Sequence, residues 1–99
     1  MAETHTIARL VVAEGAVQGV GYREFTRRAA LRLGVSGWVR NRSDGAVEAL
    51  LRGSPADVEA LIAEMRKGPR SAVVDSVRVI ERDEIHGDGA AAFVIRSTA

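Results

Sequence analysis

The stretch "VSGWVRNRSDGAVEALLR", residues 35–52, sets two runs of β-branched and apolar residues on either side of "RSDG". An Asp-Gly pair between such runs is a strong hairpin signal, because it supplies the positive φ values that a tight turn requires. Residues 35–41 and 46–52 are therefore predicted to be antiparallel neighbours. On the N-terminal side, Tyr22, Phe25, Ala29 and Leu33 recur at helical intervals and Gly34 supplies a stop. On the C-terminal side, Ser54 is placed as a cap, Pro55 takes the first helical position and Asp57 completes a capping box. Val58, Leu61, Ile62 and Met65 then form one apolar face before Gly68-Pro69 ends the helix.

Further out, "TIARLVVA" (6–13) and "AVVDSVRVIER" (72–82) read as strands, and "AFVIR" (92–96) as a short closing strand behind the loop "DEIHGDG" (83–89). The order is strand, helix, strand, strand, helix, strand, then a small extra strand. This is the α+β, ferredoxin-like split βαβ pattern: a sandwich with two helices on one face of an antiparallel sheet. A single domain over residues 1–99 is predicted, with residues 1–5 as a flexible tail. The first crossover makes strands one and two parallel, so their C-terminal ends share one edge of the sheet. The glycine-rich segment after strand one and Asn41 at the end of strand two are thereby predicted to meet.

Composition narrows the chemistry. A chain of 99 residues, 46% hydrophobic, can build one core. No apolar run approaches the roughly 18 residues of a membrane helix, and the polar opening "MAETHT" does not resemble a signal peptide. A cytoplasmic protein without a membrane partner is expected. There is no cysteine, and the two histidines, His5 and His86, stand in no metal-ligand spacing, so no metal site is expected. The net charge of +1 carries no field that would draw in nucleic acid.

"EGAVQGVGYREF", residues 14–25, places an arginine in the first turn of the first helix, where the macrodipole is already positive. It is not a Walker loop, since Gly21 is followed by Tyr22 and Arg23 in place of lysine and a hydroxyl residue, nor a dinucleotide fingerprint, since Glu24 stands where a third glycine is needed. Two readings remain open from these residues. The loop amides and Arg23 form an anion nest, or the glycines permit a tight turn while Arg23 points into water.

Read together with "GWVRNRSDGAVEALLRG" (37–53), the loop resembles both signature segments of the acylphosphatase family. Gly15, Val17, Gln18, Gly19, Val20, Tyr22 and Arg23 match the first; Gly37, Trp38, Val39, Arg40, Asn41, Gly45, Val47 and Gly53 match the second. The resemblance spans the chain, with Ala92 standing where the closing strand more usually has glycine. It implies hydrolysis of the carboxyl-phosphate bond of small-molecule acyl phosphates, without a metal or other cofactor, by a monomer. It assigns phosphate binding to Arg23 and to the backbone amides of Gly15, Ala16, Val17, Gln18, Gly19 and Val20. Asn41 is assigned the attacking water, and inorganic phosphate or sulfate would compete for the nest.

The residue content agrees with that chemistry. Near the shared edge there is no cysteine, histidine, GxSxG elbow or carboxylate pair suited to acid-base work. Such a site needs an activated substrate, and an acyl phosphate is one, because its leaving carboxylate is weakly basic. Asn41, an amide, cannot be a base near neutral pH; it can orient water, leaving a substrate phosphate oxygen to take the proton. By default Trp38 is a packing residue, and Arg27 and Arg28 a solvated helix face. A nucleic-acid module of this fold would carry aromatics on strands one and three, which "TIARLVVA" and "AVEALLR" lack. A pocket that serves a larger maturation system is the other alternative.

Overall fold

The computed structural model describes residues 5–82 and 92–99. Its elements are β1 (Ile7–Ala16), α1 (Tyr22–Leu33), β2 (Ser36–Asn41), β3 (Val47–Gly53), α2 (Pro55–Lys67), β4 (Val73–Arg82) and β5 (Phe93–Ile95). The first residues of the predicted tail and the predicted loop 83–89 lie outside the described residues.

The hairpin forms where the sequence places it. Gly45 has φ 97°, Ala46 N–H donates to Asp44 Oδ1 at 3.1 Å, and Arg42 N–H donates to the Ala46 carbonyl at 2.8 Å. Asn41 then faces Val47 and Arg40 faces Glu48 across the β2–β3 ladder. Gly37 allows this ladder to close: its φ is 136°, and a Cβ there would collide with the Leu50 carbonyl. β1 pairs antiparallel with both β3 and β4, so β1 and β2 run the same way, as the crossover requires. The sheet order is β4-β1-β3-β2-β5. β5 joins β2 in parallel, through Gly37 with Phe93 and Val39 with Ile95, which makes the five-stranded sheet mixed.

Both helices pack on one face of the sheet, α1 over β2 and β5, and α2 over β1, β3 and β4. Period-two alternation sends Val47, Ala49 and Leu51 of β3 and Val11 and Ala13 of β1 into that core, against Val58, Leu61, Ile62 and Met65 of α2. The predicted face of α2 is thus the observed one. Its cap also holds: the Asp57 N–H donates to Ser54 Oγ at 3.2 Å.

Two details differ from the sequence reading. The buried stripe of α1 is Tyr22, Thr26, Ala29 and Ala30, with Phe25 and Leu33 only half-buried. Thr26 escaped notice because it is polar, but its hydroxyl donates to the Tyr22 carbonyl at 2.9 Å and so can be buried without an unmet donor. β1 also continues past Ala13, through a register shift between Glu14 and Gly15, to pair Gly15 with Val74 and Ala16 with Val73. A glycine bulge reads locally as the start of a loop while the strand in fact persists. No helix among the described residues is long and apolar enough to cross a membrane.

Candidate active site

α1 begins on a glycine. Gly21 is its N-cap, in the left-handed conformation at φ 80°, with no side chain to accept from the first-turn N–H groups. These donors, aligned with the positive end of the helix dipole, therefore stay available to an anion. Beside them lies a cavity of about 200 Å³ lined by Val17, Gly19, Gly21, Tyr22, Arg23, Glu24, Asn41 and Ile95. Arg23 and Asn41 meet there although the rest of α1 and nearly all of β2 separate them in sequence.

The two polar side chains are poised differently. Among the described residues, no hydrogen bond or ion pair engages Arg23. Asn41 is fixed through its backbone, whose carbonyl accepts from Ala99 N–H at 3.0 Å, while its Oδ1 is buried without a protein hydrogen-bond partner. A buried amide acceptor left unmet costs about 1–3 kcal/mol, so this orientation is one that a donor in the cavity would relieve.

The loop residues divide by role. Val17 and Gly19 line the cavity. Gly15 and Ala16 belong to β1, where Gly15, at φ 128°, would drive a Cβ into the Val73 carbonyl; Gly15 instead lines a second depression with Glu14, Asp44, Gly45 and Ala46. The Val20 side chain is half-buried against the core. Gln18 acts through its side chain as well: Nε2 donates to the carbonyls of Arg42 at 2.8 Å and Ala46 at 2.9 Å. That clasp ties the glycine loop to the hairpin loop immediately after Asn41.

Tyr22, Glu24 and Ile95 were not assigned to the site from sequence. The Tyr22 hydroxyl donates to the Met65 carbonyl at 2.6 Å, fastening the start of α1 to the end of α2, and burial pushes its phenol well above the usual tyrosine range. Glu24 is held by Arg27 and Arg28, whose hydrogen bonds bring its carboxyl down to about 2. Adjacency to Arg23 could have flagged both residues. Nothing local could have flagged Ile95, which arrives only because β5 pairs with β2 two residues before Asn41.

Trp38 lies outside the cavity, with the Arg40 and Arg96 guanidiniums 4.7 Å and 5.2 Å from its ring centroid. It is half-buried and stands apart from the helix-side core. Among the described residues no group of three or more His, Cys, Asp or Glu side chains could hold a metal ion.

The profile of the acylphosphatase family matches residues 9–95. A curated acylphosphatase of Nitrobacter hamburgensis is 57% identical over 72% of each chain. The crystal structure of an acylphosphatase from Bacillus subtilis superposes with a TM-score of 0.85 at 30% identity, over 91% of this chain and 98% of that one. A segment of full-length HypF, solved in a phosphate- and nucleotide-bound form, superposes with a TM-score of 0.86 at 29% identity, over 98% of this chain and 13% of that one.

Proposed function

The chain belongs to the acylphosphatase family and is an acylphosphatase, and from that premise we propose how its cavity hydrolyses acyl phosphates. The phosphate sits on the uncapped first turn of α1, with Arg23 forking two non-bridging oxygens and amides of the loop from Val17 to Gly21 meeting the remaining charge. Asn41 Oδ1 accepts a hydrogen bond from a water and aims it at phosphorus. As the water oxygen bonds to phosphorus, the bond from phosphorus to the acyl oxygen breaks and its electron pair leaves on the carboxylate. The water's proton passes to a phosphate oxygen of the substrate, since the one carboxylate lining the cavity among the described residues, Glu24, is held by Arg27 and Arg28 and its pKa brought down to about 2. Catalysis then rests on positioning and charge stabilisation, the terms that dominate phosphoryl transfer.

One observation carries this reading: Arg23 with its unengaged guanidinium, the uncapped N-terminus of α1 and Asn41 line one cavity. We further propose that the reaction needs no metal, a reading supported by a chain with no cysteine and two histidines. The test is hydrolysis of benzoyl phosphate by the purified chain, with and without excess EDTA. Undiminished turnover in EDTA is expected. Loss of activity restored by a divalent ion would overturn the metal-free assignment, and retention of full activity in Arg23→Ala would overturn the placement of the phosphate.

A further inference from the structure

Glu24 lines the same cavity as Arg23, and a carboxylate beside a phosphate site demands an explanation. A carboxylate that lines a phosphate cavity repels the incoming anion unless a cation meets its charge. In this structure the carboxylate is so engaged. Arg27 donates from Nε to Oε1 at 2.9 Å and from Nη2 to Oε2 at 2.7 Å, and Arg28 Nε adds a bond to Oε2 at 3.0 Å. Both partners lie one turn further along α1, at the i,i+3 and i,i+4 spacings, so the helix itself places both guanidiniums beside the acid.

We propose that Arg27, assisted by Arg28, is a positioning residue for phosphate binding: it holds and neutralises the Glu24 carboxylate, so that the cavity sets no unmet negative charge against the phosphate on Arg23. Arg27 has no contact with the phosphate in this scheme. The default reading of Arg27 and Arg28 as a solvated face is thereby replaced by a specific task. The inference rests on Arg23 being the phosphate ligand.

The experiment is calorimetric titration with inorganic phosphate, beside steady-state kinetics on benzoyl phosphate, for the parent, Arg27→Ala, Glu24→Gln and the double variant. Arg27→Ala should weaken phosphate binding by about fivefold, the upper range for an exposed ion pair, with KM rising in step and kcat little changed. Glu24→Gln alone should bind phosphate at least as tightly as the parent. The double variant should recover to within about twofold of the parent, because without the carboxylate nothing needs holding. Arg28→Ala, which removes one bond where Arg27→Ala removes two, should show the smaller loss. Unchanged phosphate affinity in Arg27→Ala would overturn the proposal. So would a double variant as weak as Arg27→Ala, which would make Arg27 a direct ligand. If the parent binds phosphate and hydrolyses benzoyl phosphate, either result removes this inference alone; a parent that does neither removes the reading beneath it.

Discussion

In the proposed mechanism Arg23 touches the phosphate before and during bond cleavage, whereas Asn41 touches only the water, and the two substitutions should separate accordingly. Arg23→Ala should weaken phosphate binding and depress turnover together, and Arg23→Lys should recover little, since a point charge lacks the bidentate fork. Asn41→Ala should keep phosphate affinity and lose kcat, on the order of 10²-fold, as when other positioning contacts are removed. Titration with phosphate and kinetics on benzoyl phosphate check both; an Asn41→Ala protein that is folded yet loses phosphate affinity as Arg23→Ala does would refute the division of roles. Glu24 makes a different prediction, about acid. Its carboxyl is lowered from 4.5 to about 2 by hydrogen bonds from Arg27 and then Arg28. A depressed folded pKa means that the unfolded chain binds the proton more readily, so the contribution is complete above about pH 4.5 and is lost as pH falls toward 2. Glu24→Gln should flatten the stability profile in that window, as measured by denaturant midpoints; an unaltered slope would show that the pair carries no stability. The meeting of Arg23 and Asn41 in one cavity was legible because each sits in a spaced motif. Glu24 was not, because its meaning depends on which way its side chain turns.

Gln18 shows how much of the site depends on joining elements. Its carboxamide bridges the glycine loop to the carbonyls of Arg42 and Ala46, which bracket the hairpin loop just beyond Asn41. Gln18→Ala should lower stability by about 1–2 kcal/mol, modestly because Arg42 and Ala46 each keep a backbone donor. It should also lower kcat more than phosphate affinity, since the clasp lies on the Asn41 side of the cavity. Chemical denaturation and the same kinetics measure both effects, and loss of stability with kcat intact would reduce the clasp to a structural tie. At this scale the sequence was informative about chemistry that acts locally. The Asp44-Gly45 turn, the Ser54 cap and the Gly34 stop are each decided within a few residues, and all three stand where their residue types require. The continuation of β1 through Gly15 was hidden, because a bulge is defined by the partner strand β4 and not by the residues that form it. Thr26 was hidden for the related reason that its hydrogen-bond partner is the helix backbone itself.

Across the whole molecule, the crossover that sets β1 parallel to β2 delivers the glycine turn and Asn41 to one cavity, and this was readable from element order alone. The parallel seat of β5 beside β2 was not, since three residues carry no signal for which edge they join; the consequence is that Ile95 enters the cavity wall unannounced. A cavity assembled from α1, β2, β5 and the glycine loop exists only while those pieces are docked, so an anion that fills it binds the folded chain and not the unfolded one. Inorganic phosphate, and sulfate at higher concentration, should therefore raise the melting temperature. At a hundred times the dissociation constant the added stability is about 2.7 kcal/mol, which for a domain of this size corresponds to a rise on the order of 10 °C. Arg23→Ala should remove most of that rise, whereas Asn41→Ala should preserve it, because in the proposed mechanism the amide holds water and not the anion. Thermal scans at matched ionic strength, with chloride as the control salt, separate site binding from general screening. A rise that persists undiminished in Arg23→Ala would place the anion at another surface, and a rise abolished equally by Asn41→Ala would mean that the amide, too, is a phosphate ligand.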